Sequence, residues 1–311
     1  MTYEFNILST DGQTPLRGII WKTNSKEKPK AILQIVHGMA EHIERYNPTA
    51  NILNENHIMV IGHDHLGHGQ SLHSSHPIQG YFGKGHHTPG LLIEDTYQIT
   101  KYIQEHYPGI PIFIMGHSMG SFVLRNYLKK YSHHVAGSIL MGTSARREEA
   151  SIVHTITKGL NKLSPKITNP AIDKLLFGSF NQRIKNPKSN FSWLSKNQEN
   201  VVRYEEDTNC GFIFTNNGFF TLISLMDRAT QKNWYQTIRR DLPVLIISGE
   251  KDPVGSYGKG PRKTALELTD HGFSDITLQL YYDLRHEILN EVEYKEIVLD
   301  IYDWMTHHLN K

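Results

Sequence analysis

Gly116-His117-Ser118-Met119-Gly120 places a serine between two glycines. An apolar run, 110–115, precedes it, and residues with helical spacing follow: Phe122, Leu124, Tyr127, Leu128 and Tyr131. A serine on a sharp strand-to-helix turn, with no side chain on either flanking position, has its hydroxyl exposed as a nucleophile. The competing reading is a serine N-cap at a tight bend. A serine hydroxyl attacks only with a base beside it, and the base needs a carboxylate to orient it. Both follow in the order such an elbow requires. "LPVLIISGEKDPVG" ends a strand-like run at Asp252, and "ITLQLYYDLRHEILNE" ends the next at His286. The oxyanion of an acyl-transfer intermediate needs two donors. Met119 N–H, at a helix start, supplies one. The loop His37-Gly38-Met39-Ala40-Glu41-His42 supplies the other through Met39 N–H, with Gly38 permitting close backbone approach.

Several other residues compete for chemical roles. Asp64 is the rival carboxylate, but it follows an earlier strand and reads as structural. Glu41 and His42 read as braces for the oxyanion loop. His63, His65 and His68 have H-x-H-x-x-H spacing, yet Gly67 stands where a metallo-hydrolase would carry Asp, and no second ligand set follows. "HEILN" at 286–290 has Asn290 in place of the second histidine of a zinc motif. No metal and no cofactor is expected. Cys210 reads as a small buried hydrophobe, with a redox-sensitive thiol as the alternative.

These residues need a scaffold that holds loops side by side. Residues 3–22 alternate and break at Asp11-Gly12, the pattern of a hairpin. Strand-length apolar runs follow at 31–36, 57–62, 110–115, 135–141, 243–248 and 276–282. Continuous apolar runs suit parallel strands covered on both faces. Helical patterns lie between them: 47–55, with Asn47 as N-cap and Pro48 as first helical residue, then 90–106, and last 292–309. The alternation predicts a mostly parallel, doubly wound α/β sheet. Between 146 and 235 the rhythm is lost, and prolines punctuate short helical pieces rich in Lys and Asn. The expected organisation is a core of residues 1–145 and 236–311 with an inserted, mostly helical cap at 146–235. In that cap, Phe212, Phe219 and Phe220 are candidates to line an acyl pocket, with cap packing as the alternative. Residues 152–177 interleave apolar side chains with lysines, which suits intramolecular packing or transient contact with a membrane surface.

The bulk properties agree with a globular enzyme. The chain has 311 residues, 38% apolar and 21% charged, with a mean hydropathy of −0.44. Its 33 basic and 31 acidic residues leave a formal charge of +2 and no basic stripe, so a nucleic-acid partner is not expected. Cys210 is the single cysteine, which rules out a disulfide within the chain and suits a reducing compartment. No leader pattern or long apolar segment is evident, so the expected location is cytoplasmic.

Five motifs in order carry a family resemblance: His-Gly-x-x-Glu-His at 37–42, Asp64-His65-Leu66-Gly67-His68-Gly69-Gln70-Ser71, Gly116 to Ser121, Gly249-Glu250-Lys251-Asp252, and His286 to Glu291. Together they resemble the monoacylglycerol lipase and lysophospholipase group of α/β-hydrolases. The resemblance implies an α/β-hydrolase fold and a cofactor-free carboxylic-ester hydrolase. It assigns Ser118, Asp252 and His286 to the triad, with Met39 and Met119 as oxyanion donors. The expected substrates are lipid-like monoesters. A small-ester carboxylesterase or a proline-iminopeptidase-like peptidase is the alternative, with Glu205, Glu206 and Asp207 as candidates to hold a free amino terminus. A non-catalytic binding protein of the same fold is the reading from another class.

Overall fold

The computed structural model describes residues 1–23, 27–73, 77–146 and 150–309. Strands β1 (Thr2–Leu8) and β2 (Pro15–Trp21) form the hairpin. Then come β3 (Ala31–Val36), α1 (Asn47–Glu55), β4 (Ile58–His63), α2 (Thr88–His106), β5 (Ile112–His117), α3 (Met119–Tyr131) and β6 (Gly137–Met141). Helices α4 (Ala150–Leu163), α5 (Pro170–Phe177), α6 (Gln198–Glu206) and α7 (Asn216–Thr230) follow without a strand of the sheet among them. The core pattern then resumes with β7 (Val244–Gly249), α8 (Lys259–Asp270), β8 (Ile276–Tyr281) and α9 (Tyr294–Leu309).

All eight strands form one sheet in the order β1-β2-β4-β3-β5-β6-β7-β8. The pairings β1–β2 and β2–β4 are antiparallel, and the other five are parallel. The fold is that of an α/β-hydrolase. Strands β3 to β7 are buried along their whole length, as near-continuous apolar sequence requires when both faces are covered, and the interrupting Gln34 of β3 is bonded to Thr96 O and Thr100 Oγ1 of α2. Alternate residues of each strand serve opposite cores. Ile32, Val36 and Ile114 join Phe122, Val123 and Leu124 of α3 on one face. Leu33, Ile35, Phe113 and Met115 join Ala50 and Leu53 of α1 and Ile297, Ile301 and Met305 of α9 on the other. Each such fully buried aliphatic side chain contributes about 1.5–3 kcal/mol relative to exposure.

One local expectation fails. Asn47 is not the N-cap of α1: Tyr46 holds that position, and Asn47 is the first helical residue. The Asn47 side chain is engaged elsewhere, accepting a hydrogen bond from Trp21 Nε1 at 2.6 Å. Packing α1 against the hairpin thus takes the oxygen that would have capped the helix. Elsewhere the strand and helix bounds differ from the sequence pattern by one to two residues, within the usual fraying of element ends.

Because β3 and β5 are neighbours in register, with Val36 opposite Gly116, the loops leaving their C-terminal ends emerge side by side. Strands β6, β7 and β8 follow on the same flank, so the loops after β7 and β8 open at the same edge. Loops at this end of a parallel sheet are where such folds place their chemistry.

Candidate active site

Ser118 stands between β5 and α3 with φ 52° and ψ −117°, a conformation that a residue with a Cβ rarely adopts. It is held there from both sides. Its N–H donates to Met141 O of β6 at 2.9 Å, and its carbonyl accepts from Ser121 N–H at 2.9 Å and Ser121 Oγ at 2.6 Å. The flanking glycines are required by close approach: a Cβ on Gly116 would strike the Gly120 carbonyl, and one on Gly120 would strike the carbonyl of Val36. Ser118 occupies the N-cap position of α3, but its side chain makes no capping hydrogen bond. The hydroxyl is therefore not consumed by the helix it introduces, and the residue is half-buried.

Asp252 and His286 converge, although they lie on different loops. His286 Nδ1 is 2.9 Å from Asp252 Oδ2, and both side chains are buried. Asp252 is held on its other sides by Val254 N–H at 2.8 Å and Ser248 Oγ at 3.1 Å. The His286 ring packs between His117, the residue preceding the serine, at 4.8 Å, and Trp193 at 5.2 Å. Asp64, the rival carboxylate, has other work. It accepts Ile43 N–H at 2.9 Å and Gln70 N–H at 3.0 Å, which ties together the loops after β3 and β4.

In the loop after β3, Gly38 N–H donates to Glu41 Oε1 at 2.6 Å and Ala40 N–H donates to His68 Nε2 at 3.2 Å. Met39 N–H lies between two occupied donors and has no hydrogen-bond acceptor among the described residues. Met119 N–H is at the first position of α3, where a helix leaves its amides unpaired.

Glu41 is the hub beneath this loop. It accepts from Gly38 N–H, from His117 Nδ1 at 2.9 Å and from Tyr46 OH at 3.2 Å, and it pairs with Arg45 at 2.9 Å. Arg45 also grips Glu287 with two hydrogen bonds of 2.6 and 2.7 Å. The network therefore joins the residue before Ser118, the residue after His286 and the loop carrying Met39. Burial works to raise the Glu41 carboxyl, but the His117 hydrogen bond and charge, then Arg45, hold it well below the usual glutamate range. Burial works to lower His117, but the hydrogen bond to Glu41 and the charges of Glu41 and Glu287 together raise it. Burial works to raise the Glu287 carboxyl, but the charge and hydrogen bonds of Arg45, with the charge of His117, together lower it. The helical segment joins in: Asn200 Nδ2 donates to Glu287 Oε2 at 2.8 Å, and Tyr204 OH donates to Ala40 O at 2.8 Å.

Within the histidine cluster, His37 and His68 serve the loops as neutral acceptors. His37 Nε2 accepts His65 N–H at 2.9 Å while its Nδ1 contacts Gly38 O at 2.8 Å. Burial pulls His63 and His68 down to about 4 and lowers His37 and His65 as well. His63, His65 and His68 do not bring three ligand atoms together; among the described residues only His42, Asp207 and Cys210 do.

The three aromatics separate. Phe212 is half-buried, with its ring 5.2 Å from His68, the acceptor for Ala40 N–H in the loop after β3. Phe219 is fully buried against Phe214, and Phe220 packs on His86 and His154. Sequence reasoning missed Arg45, Glu287, Tyr204 and Trp193. Arg45 sits one helical turn after Glu41, a spacing that could have flagged an ion pair. The other three carry no local signal.

A family model described as "Serine aminopeptidase, S33" matches residues 27–293. The chain is 27% identical to monoglyceride lipase of Rattus norvegicus over 98% of this chain and 90% of that protein. It is 26% identical to monoacylglycerol lipase of Mycolicibacterium smegmatis, over 90% of each. Among solved structures, a thermostable carboxyl esterase from Bacillus coagulans in complex with glycerol superposes with a TM-score of 0.92 at 28% identity, covering 99% of both chains.

Proposed function

From the fact that this chain belongs to the serine aminopeptidase S33 family of hydrolases, we propose that it cleaves lipid-like carboxylic monoesters through an acyl-enzyme on Ser118. The observation that carries this reading is the strained, uncapped Ser118, whose preceding residue His117 packs on the His286 of the buried Asp252–His286 pair. In this mechanism His286 takes the Ser118 proton as Oγ attacks the ester carbonyl. Asp252 holds the ring and stabilises the imidazolium that forms. The oxyanion is received by Met39 N–H and Met119 N–H. Removal of one such donor typically costs about 10²–10³ in turnover. His286 then returns the proton to the departing alcohol, leaving the acyl group on Ser118, and deprotonates the water that releases the acid. No step in this sequence needs a metal or cofactor.

The names of the relatives favour glycerol monoesters as the substrate class. We assign residues 146–235 as the cap over the site. The acyl chain leaves along Phe212, whose ring adjoins the oxyanion loop, with Phe219 and Phe220 as the packed wall behind it. Burying the chain contributes about 0.8 kcal/mol per methylene. Ile152, Ile156 and Leu163 of α4 and Leu175 of α5 are exposed beside lysines, a pattern suited to touching a lipid surface from which such substrates are drawn. No helix among the described residues is long and apolar enough to cross a membrane.

The peptidase reading is weakened at its own residues. Asp207 is bonded to His42 at 2.8 Å and Glu205 accepts from Ser189 Oγ at 2.6 Å, so two of the three cap carboxylates are engaged away from a substrate amine. A fluorophosphonate probe should label the wild type and leave Ser118→Ala unlabelled and inactive. Labelling that persists in the variant refutes the nucleophile. Greater activity on an aminoacyl-anilide than on any p-nitrophenyl ester or monoacylglycerol refutes the ester reading.

A further inference from the structure

His42, Asp207 and Cys210 lie outside the proposed catalytic machinery, yet a ring nitrogen, a carboxylate oxygen and a thiol sulfur meet there, all within 4.8 Å of one another. We propose that these three side chains form a binding site for a thiophilic divalent cation of the zinc class, linking the cap to the loop that carries Met39.

The site is organised before any ion arrives. Asp207 closes α6, and the turn after it is fixed by Cys210 N–H donating to Asp207 O at 2.9 Å and Asn209 N–H donating to Asp207 Oδ1 at 2.8 Å. That turn leaves Asp207 Oδ2 free to meet His42 Nε2 at 2.8 Å. Two further bonds clamp the turn and the end of α6 to the His42 segment: Gly211 N–H to Ala40 O at 3.0 Å, and Tyr204 OH to the same oxygen at 2.8 Å. Cys210 and His42 are buried and Asp207 is half-buried, so water can reach a fourth position from the Asp207 side.

The donor set selects the ion. One imidazole, one thiolate and one carboxylate with an open fourth position is a tetrahedral zinc arrangement, whereas calcium and magnesium require mostly oxygen. The surrounding charge does not repel a cation. Arg45 is nearby but is committed to Glu41 and Glu287, and those carboxylates together with Asp207 outnumber it even with His117 protonated. A free cysteine thiol is protonated near neutral pH, so the metal-free site holds an S–H. Binding replaces the Cys210 S–H bond and the His42 Nε2–H···Asp207 contact with M–S, M–N and M–O bonds; the thiol proton goes to solvent, and the Nε2 proton is exchanged for one on Nδ1, so one proton is released in all. Affinity therefore increases with pH.

Because Cys210 is the sole cysteine, a thiolate-to-metal charge-transfer band reports this site alone, whatever the other histidines bind. Titrating the full chain with cadmium chloride should give such a band, saturating at one equivalent and displaced by zinc. His42→Asn and Asp207→Asn, each checked for fold by fluorophosphonate labelling, should weaken cadmium at least about tenfold. Zinc should raise the urea midpoint of the wild type and not that of Cys210→Ser. Absence of the band overturns the proposal. So does a band of unchanged affinity in both His42→Asn and Asp207→Asn, or an equal zinc effect in Cys210→Ser.

Discussion

The backbone at Ser118 stores strain, and two substitutions at this position measure it. Ser118→Ala keeps the Cβ and hence the unfavourable φ of 52°, while Ser118→Gly removes the Cβ and the conflict with it. A non-glycine residue in such a region costs of order 1–3 kcal/mol. Glycine gives back about 0.4–1 kcal/mol through the greater freedom of its unfolded chain. Packing changes little, because residue 118 is half-buried and loses one carbon. The glycine variant should therefore exceed the alanine variant by roughly 0.5–2 kcal/mol. For 311 residues at about 2.1 cal/mol/K each, that is a difference of ~1–3 °C in Tm. Urea unfolding followed by tryptophan fluorescence reads it directly, provided both variants show the same slope. Both variants must be unreactive to a fluorophosphonate. An alanine variant as stable as the glycine variant, or more so, refutes the claim that the elbow is strained.

Four other outcomes are expected. Asp252→Asn should retain the wild-type urea midpoint within about 1–2 kcal/mol while lowering kcat by up to about 10⁴, whereas Asp64→Asn should lose more in stability than in turnover; the reverse pattern would exchange their roles. Glu41→Gln should destabilise the fold by about 3 kcal/mol, at the low end for a broken buried pair because Arg45 keeps Glu287. In the wild type the contribution of the raised His117 is present below its ordinary value and lost as pH rises through the raised one. The lowered Glu41 contributes above the ordinary glutamate value and loses that contribution as pH falls through its lowered one. A wild-type and a Glu41→Gln pH–stability profile of the same shape would therefore contradict the pairing. Phe212→Ala should raise KM for a ten- or twelve-carbon ester far more than for the acetate, and an equal rise on both would place Phe212 outside the acyl path. Exhaustive EDTA treatment should leave the ester hydrolysis of Cys210→Ser unchanged, and a loss restored by zinc in that variant would show that the reaction itself needs a metal.

The sequence by itself determined the α/β layering and the serine elbow, because both rest on local signals. Strands buried on two faces must be mostly apolar runs, and 31–36, 110–115 and 243–248 stand within two residues of β3, β5 and β7. The tight turn at 116–120 demands glycine where a Cβ meets a neighbouring carbonyl, so Ser118 announces itself within five residues. Asp252 and His286 were legible only as the ends of strand-like runs in the right order. Their meeting at 2.9 Å was decided by β7 and β8 lying side by side. Asn47 misled because its capping preference is weak beside the tertiary bond from Trp21. Of the buried Glu41–Arg45–Glu287 network only the one-turn spacing of Glu41 and Arg45 was local, and the joining of Glu287 to Arg45 and of His42 to Asp207 left no local trace. Arg45 and Glu287 are 242 residues apart, and His42 and Asp207 are 165 apart. No helical or strand period spans such separations. They become neighbours because the sheet places the loops after β3 and β8 at one edge and α6 closes over them, so only the tertiary structure decides which charges are buried together.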